Sequence, residues 1–256
     1  MKLTDLFLKV YFYIMLALVY FPIAILILFS FNESRSKLAF TGFTIENYIS
    51  LINDRAVWVS FYNSIWIAIV VVIISIFLGL MLAYAIVRYN PKGKDIIDTL
   101  MLIPIIIPEI IEALTLLVFF LILGIPLSPA TIIIGHAAFD IPLAYIIIKA
   151  RLVGYDPQYE EAARTLGADE IQTLFRVTLP MLMPGILAAA FMTFVWSYDD
   201  FIKTFFTKPI GFNTLPVYLW TKLSRRGFSL DVNALCTFII VISILFTYIR
   251  MKIIQE

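Results

Sequence analysis

Five carboxylates lie inside apolar segments of this chain, where an ionised group is costly. They are Glu109, Glu112, Asp140, Asp199 and Asp200. A carboxylate at the centre of a bilayer costs about 2.5–3.5 kcal/mol on insertion scales, and no Lys or Arg occurs between residues 95 and 148. Acids without bases in the membrane imply a water-filled path, protonation, a basic partner subunit or a cationic substrate. Protonation or helix capping could explain any one of them; for all five together, we favour a path for cations.

Aromatic side chains accompany the last acidic pair. Trp196 and Tyr198 precede Asp199 and Asp200 in the run Trp-Ser-Tyr-Asp-Asp. A carboxylate beside an indole or phenol ring suits an alkylammonium group, because cation–π contacts add about 0.5–2 kcal/mol each. The alternative is an aromatic belt at the membrane surface, which is the commoner role of such a pair. We interpret His136 as a structural residue rather than a ligand.

Membrane spans must carry these residues, because the chain is too apolar for a soluble protein. Of its 256 residues, 62% are hydrophobic and 14% are charged, whereas soluble proteins average about 45–50% and about 25%. A span needs about 20 apolar residues to cross about 30 Å of hydrocarbon. Six stretches qualify, near 10–31, 61–87, 99–123, 130–149, 182–202 and 232–251. We therefore expect an all-α membrane protein with a single transmembrane domain over 1–256.

Prolines interrupt several of these spans, which membrane proteins tolerate where helices line a cavity or pack on neighbours. The third predicted span contains Pro104 and Pro108, and the fourth contains Pro142. If the third span is a straight helix rising 1.5 Å per residue, Glu109 lies roughly 16 Å from its cytoplasmic end, close to the midplane.

Basic residues near the span ends predict the orientation of the chain. The short loop at 88–98 carries three of them, Arg88, Lys92 and Lys94, whereas the short connection at 124–129 carries none. Both termini and the loop between the fourth and fifth spans are therefore expected to face the cytoplasm. Lys203 is assigned to the opposite side by the same pattern.

The loop between the fourth and fifth spans carries clear helix signals. Asp156 can cap a helix, and Gly167 can end it. A second start follows at Asp169, with Gln172 three residues on as a variant of the capping box. The pattern predicts two short helices joined by a sharp turn. Taken alone, it also fits an ordinary solvated loop.

The same loop resembles the EAA loop, in which Glu-Ala-Ala is followed by a glycine and, further on, by an apolar residue, Leu and Pro. The residues concerned are Glu160, Glu161, Ala162, Ala163, Leu166, Gly167, Leu179 and Pro180. That loop marks the membrane-spanning subunits of prokaryotic ABC importers. The resemblance implies that residues 150–181 form a cytoplasmic coupling loop held in a groove of an ATPase subunit. Glu160 and Glu161 are expected to hold that groove by charge and hydrogen bonds.

A narrower resemblance covers nearly the whole chain. The runs from Phe194 to Asp200 and from Pro108 to Ile110 resemble the second permease subunit of bacterial spermidine/putrescine importers. This resemblance implies a type I ABC importer permease with six transmembrane helices in the bacterial inner membrane. The family leads us to expect the Asp199–Asp200 pair, whereas Glu112 and Asp140 depart from it.

The resemblance also implies partners: a sister permease in a heterodimer, two ATPase subunits and an extracytoplasmic polyamine-binding protein, besides membrane lipid and without nucleic acid. The chain itself is expected to be non-catalytic and to bind neither metal nor cofactor. No G-x-x-x-x-G-K-[ST] phosphate loop occurs in the sequence, so ATP and magnesium would be used by the partner ATPase.

Other functions fit some of these features. A permease of the same type could carry another small substrate such as thiamine, iron or sulfate, although the membrane acids disfavour an anion. An ion-coupled secondary carrier could use the carboxylates as a proton or sodium relay, but six spans are few for one, and the EAA-like loop would have no purpose. Buried acids make a non-transporting scaffold the weakest alternative.

Overall fold

Most of the residues that the computed structural model describes are helical, and the described residues are 3–33, 39–226, 230, 232–241 and 244. Within these residues, the β-structure consists of a single bridge between Asn32 and Phe43. The helices are α1 (Leu3–Ser30), α2 (Glu46–Asn53), α3 (Arg55–Tyr89), α4 (Lys94–Ile106), α5 (Glu109–Ile122), α6 (Pro129–Val153), α7 (Gln158–Thr165), α8 (Glu170–Thr173), α9 (Leu179–Asp199), α10 (Ile202–Thr207), α11 (Leu215–Arg226) and α12 (Val232–Val241). A π-helical turn, Leu174–Thr178, joins α8 to α9.

Four of the described helical segments are long and apolar enough to cross a membrane. They are Asp5–Ser30, Arg55–Tyr89, Pro129–Val153 and Glu170–Asp199, and the bent pair α4–α5 makes a fifth if it counts as one span. These segments overlap the first five predicted spans, with bounds that differ by up to twelve residues, as at the start of Glu170–Asp199. The sixth, at 232–251, lies partly outside the described residues, and α12 covers its first part.

The described residues divide into two compact units, drawn from 1–58 with 219–256 and from 59–218. In the first unit, the end of α1 is tied to α2. Tyr48 Oη lies 2.6 Å from Ser30 Oγ, and the rings of Phe31 and Phe43 stack with centroids 5.0 Å apart. That residues 1–256 form a single transmembrane domain stays a prediction.

The third predicted span is not a straight helix, which corrects the expectation for 99–123. Helix α4 ends at Ile106, Ile107 is extended at φ −67° and ψ 135°, and α5 begins at Glu109. The two axes differ by 102°. The ring of Pro108 disfavours the α conformation at Ile107, and Pro108 has no N–H to continue the helix. Glu109 therefore starts a new helix instead of continuing a straight one, and the depth expected for it stays a prediction.

Helix α6 forms the centre of the second unit, and small residues let its neighbours approach closely. Ala83 of α3, Ala144 of α6 and Ala189 of α9 are completely buried together. A Cβ atom on Gly79 would lie 2.9 Å from the Cβ of Ala144, so α3 and α6 meet nearly backbone to backbone. Such contacts are typical of membrane helices, which associate through packing rather than the hydrophobic effect.

Asp98 joins α4 to α6. Its carboxylate accepts hydrogen bonds from the Tyr145 hydroxyl and from the Lys149 ammonium group. These bonds hold α4 against α6. The break at Ile107 and Pro108 then determines where α5 begins.

Candidate functional site

A cavity of about 420 Å³ lies where the first turn of α5 meets the end of α9 and the start of α10. It is lined by Glu109, Val195, Trp196, Asp199, Asp200, Phe201 and Ile202. The break before Glu109 places its carboxylate in the first turn of α5, where the helix dipole favours negative charge. Three of the five predicted acids therefore share one cavity, although they come from separate parts of the sequence.

Lys203 supplies the base that the sequence interpretation lacked. Its Nζ donates to Glu109 Oε1 at 2.8 Å and to Asp200 Oδ2 at 2.7 Å. The residue is only 3% exposed, and its Nζ lies 5.1 Å from the centre of the Phe139 ring. The expectation that the membrane acids have no base nearby is therefore wrong for Glu109 and Asp200. Lys203 was also expected in a loop, but it lies in α10. We call Glu109, Asp200 and Phe139 the ammonium clamp.

Asp200 is fixed from its other side by a polar network. Thr204 donates its backbone N–H to Asp200 Oδ1 at 2.9 Å, which provides an acceptor for an N–H in the first turn of α10. His136 Nε2 lies 3.4 Å from the same oxygen and 2.9 Å from Thr204 Oγ1, while its Nδ1 lies 2.8 Å from Ser197 Oγ. Both nitrogens of His136 thus have partners, in agreement with its interpretation as a structural residue.

Asp199 lines the same cavity as Asp200 but differs from it in exposure and in partners. Its side chain is exposed, and it has no hydrogen bond or ion pair with any residue that the structure describes. Trp196 beside it is 45% exposed, and its ring lies 4.9 Å from that of Phe139. The cavity therefore presents a carboxylate with free acceptor capacity next to an aromatic face.

The remaining predicted site residues lie outside the cavity wall. Tyr198 packs against Phe61 and Phe194, with ring centroids 6.3 and 5.8 Å away. Asp140 is 1% exposed, and neither of its oxygens has a hydrogen-bond partner within the described residues; the same holds for Oε2 of Glu112. A buried carboxylate without partners is costly when ionised, which favours protonation or packing over direct contact with a solute.

The predicted helix signals of the loop are confirmed. Asp156 Oδ1 accepts from the Gln158 N–H at 3.0 Å at the start of α7, and Gly167 ends the turn at φ +91°. Asp169 Oδ1 accepts from the Gln172 N–H at 2.7 Å, while the Asp169 N–H donates to Gln172 Oε1 at 3.4 Å. The loop is thus two short helices with a sharp turn between them.

Glu160 does not face outward from this loop, and the contact with an ATPase groove expected for it stays a prediction. Its Oε1 accepts from Arg88 Nη2 at 2.6 Å and from Thr178 Oγ1 at 2.7 Å, and the residue is 4% exposed. The Arg88 guanidinium also lies 5.2 Å from the ring centre of Tyr155. Glu160 therefore connects α7 to the end of α3 and to the π-helical turn.

Other residues of the EAA-like motif form the exposed surface of the loop. Glu161, Ala162, Leu166 and Gly167 are exposed, Ala163 and Leu179 are half-buried, and Pro180 is exposed in the first turn of α9. Leu166, which directly follows the last residue of α7, is 90% exposed. A partner surface could contact Leu166 and Glu161 together.

Sequence reasoning missed Lys203, Arg88 and Thr178. The spacing of Lys203, three residues after Asp200, was the available signal, because residues three apart on a helix lie on one face. Arg88 and Thr178 gave no such signal, since they reach Glu160 only through the fold.

Several known proteins are similar to this chain. It is 32% identical over 228 residues to the spermidine/putrescine transport system permease protein PotC of Escherichia coli K12, covering 89% of this chain and 86% of that protein. PotC of Haemophilus influenzae is 31% identical over 232 residues, with 91% and 90% covered. The putrescine transport system permease protein PotI of E. coli K12 is 31% identical, with 86% and 81% covered.

Solved structures support the fold. A bacterial ABC transporter involved in the import of the acidic polysaccharide alginate superposes with a TM-score of 0.71 at 20% identity, covering all of this chain and 98% of that chain. The MetNI methionine ABC transporter superposes with a TM-score of 0.58 at 19% identity, covering 79% of this chain. Residues 75–256 match the family described as the binding-protein-dependent transport system inner membrane component. The resemblance to ABC importer permeases is thereby confirmed, and the chain belongs to this family of inner-membrane transport components.

Proposed function

We propose that this chain is one of two permease subunits of an ATP-driven importer of polyamines, and that the cavity at Glu109 and Asp199 belongs to the path of the cargo. The observation that carries the proposal is the Asp199 carboxylate, which has no hydrogen bond or ion pair within the described part of the chain, beside the exposed Trp196 ring in that cavity. Relatives similar over most of the chain are named for spermidine and putrescine transport.

The chemistry of the cavity fits an organic cation with an alkyl chain. A polyamine presents ammonium groups separated by methylene groups, so its binding requires anionic acceptors and apolar surface in alternation. Asp199 and Glu109 provide the acceptors, and Trp196, Val195 and Ile202 provide the apolar and aromatic surface. An anion would meet like charge at the same place, which disfavours sulfate or phosphate as cargo.

Partner subunits complete the proposed machine. The exposed Leu166 and Glu161 of the loop offer the contact with an ATPase, which must supply nucleotide binding because this sequence contains no phosphate loop. A sister permease would form the other half of the path, and an extracytoplasmic binding protein would deliver the polyamine. We include in the proposal the six-helix topology and the cytoplasmic position of both termini and of the loop.

The loop would transmit ATPase closure to the spans through Glu160. A force on α7 reaches the end of α3 through the Arg88–Glu160 pair and reaches α9 through Thr178 and the π-helical turn. Both helices pack on α6, and Phe139 of α6 contacts Trp196 of the cavity wall. Movement of the loop can thereby alter the cavity without any covalent step in this chain.

Reconstitution tests the proposal. The chain, co-expressed with its sister permease and ATPase, is expected to co-purify with them and to import radiolabelled putrescine or spermidine into proteoliposomes when the binding protein and ATP are supplied. Uptake by the chain alone, without ATP and driven by an ion gradient, would instead identify a secondary carrier. ATP-driven uptake of a different solute, with polyamines inert as competitors, would refute the polyamine assignment only.

A further inference from the structure

The ammonium clamp already binds an alkylammonium group, and that group belongs to the protein. Lys203 Nζ donates to two carboxylates, Glu109 Oε1 at 2.8 Å and Asp200 Oδ2 at 2.7 Å. The same nitrogen lies over the Phe139 ring at 5.1 Å, within the range of a cation–π contact. Two acceptors and an aromatic face are the features that would recognise one end of a polyamine.

We propose that Lys203 competes with the cargo for this clamp and so sets the affinity of the path for organic cations. An ammonium group of the cargo binds Glu109 when the Lys203 head group withdraws from it, and the lysine returns when the cargo leaves. This inference rests on the proposed function, since it assigns a specificity role to a residue beside the same cavity.

The two halves of the clamp differ in how easily they can exchange a ligand. The Asp200 side chain is 2% exposed and is held by Thr204 and His136, whereas the Glu109 side chain is 38% exposed and faces the cavity. A lysine has a flexible four-carbon stem and a head group with rotatable donors. The Lys203–Glu109 bond can therefore open toward the cavity while the Lys203–Asp200 bond persists.

Charge balance gives this competition a function. With Lys203 in place, its positive charge offsets one of the two carboxylates of the clamp, and the Asp199 carboxylate adds to the attraction for an incoming cation. Without that offset, the cavity wall would hold three uncompensated carboxylates, and a cation bearing several charges would be released slowly. An importer must release its cargo, so a tethered competitor favours turnover at the expense of affinity.

The alternative is that Lys203 is a fixed counter-ion that neutralises Asp200 and attaches α10 to α5. A buried ion pair often contributes little net stability, but removing one partner is strongly destabilising, because it leaves a buried charge unpaired. The fixed role thus predicts loss of folding or assembly when Lys203 becomes neutral, whereas competition predicts a gain in cation affinity.

Binding of radiolabelled putrescine to the purified permease–ATPase complex, without binding protein or ATP, separates the two. Lys203→Met keeps the length of the side chain but removes its charge, Lys203→Gln keeps polarity, and Lys203→Arg keeps the charge. Lys208→Met is the matched control, because it removes the same charge from a half-buried lysine outside the clamp. Butylammonium serves as a second probe that carries a single charge.

Competition predicts that Lys203→Met and Lys203→Gln bind putrescine about tenfold more tightly than wild type, equivalent to about 1.4 kcal/mol, with slower ATP-driven turnover. Lys203→Arg and Lys208→Met should bind like wild type. Adding Glu109→Gln to Lys203→Met should abolish the gain. Unchanged or weaker binding in both neutral variants, or their failure to assemble while Lys203→Arg assembles, would overturn the inference.

A separate measurement tests the proposed function. ATP-driven polyamine uptake by the wild-type complex tests it without reference to Lys203. If wild type imports polyamines and the neutral variants gain no affinity, only the inference fails. If wild type imports no polyamine and Lys203→Met still gains affinity for butylammonium, only the proposed cargo fails.

Discussion

Glu160 lies inside the protein with its Oε1 2.6 Å from Arg88 Nη2, although it belongs to a motif on a loop whose other residues are largely exposed. This pair connects α7 to the last turn of α3. Thr178 donates to the same oxygen at 2.7 Å, so three segments meet at one carboxylate. The motif thus has an inner part that fixes the loop and an outer part available to a partner.

Glu160→Gln should weaken this junction without changing its shape. The neutral amide loses the attraction to Arg88 and leaves a partly buried guanidinium without its ion partner, so we expect a loss of about 1–3 kcal/mol in stability. ATP hydrolysis should then become less tightly linked to uptake. Thermal unfolding and the ratio of ATP hydrolysed to polyamine imported measure both effects.

Glu161→Gln is the matched control for that prediction, because its side chain is exposed on the same helix. It should leave the unfolding temperature unchanged and act only through the contact with the ATPase. Equal destabilisation by the two variants would contradict the division of the motif into a buried Glu160 and an exposed Glu161.

Gly167→Ala should strain the turn between α7 and α8. The residue has φ +91°, and a Cβ atom there would meet nothing within 4 Å. The loss of stability therefore comes from the positive φ and not from a clash with neighbouring residues. We expect a cost of about 1–2 kcal/mol and weaker assembly with the ATPase, measured by co-purification. Gly154→Ala, at φ −81°, should have little effect, and similar losses at both positions would refute this explanation.

The two aspartates at the end of α9 should respond differently to the same substitution. Asp199→Asn removes a free carboxylate from the cavity, so polyamine uptake should fall about tenfold, equivalent to about 1.4 kcal/mol in the barrier, while the complex still assembles. Asp200→Asn deprives Lys203 of a buried partner, so it should reduce stability as well as uptake. Uptake assays paired with thermal unfolding distinguish these outcomes.

Normal uptake by Asp199→Asn at saturating binding protein would show that this carboxylate does not contact the cargo. Asp95→Asn, at an exposed carboxylate in the first turn of α4, is the control for a nonspecific effect of charge removal.

Trp196→Ala should open the cavity wall, because the indole ring packs on Phe139 at 4.9 Å and borders the cavity. We expect higher ATP-independent permeability to cations, or higher basal ATP hydrolysis, rather than weaker binding alone. Proteoliposomes that stay as tight as wild type, with unchanged basal hydrolysis, would assign Trp196 to packing or to the aromatic belt.

Signals that operate within a few residues could be predicted from the sequence. The cap at Asp156, the stop at Gly167 and the capping box of Asp169 with Gln172 depend on bonds between residues at most three apart. The apolar spans also followed directly, because hydrocarbon requires long apolar helices with internally satisfied backbones. The EAA-like motif identified the family for the same reason, since its residues are close together in the chain.

Pairings across the fold could not be predicted in this way. Lys203 and Glu109 are 94 residues apart, and Arg88 and Glu160 are 72 residues apart. Charge counts assigned Lys203 to a loop, and only the break at Pro108 and the short helix α10 bring its ammonium group to Glu109. An apolar helical permease with acidic groups in or beside its spans could thus be predicted from the residues alone. Which of those acids are paired or buried follows from the packing between helices, because the partner of a buried charge does not depend on chain order.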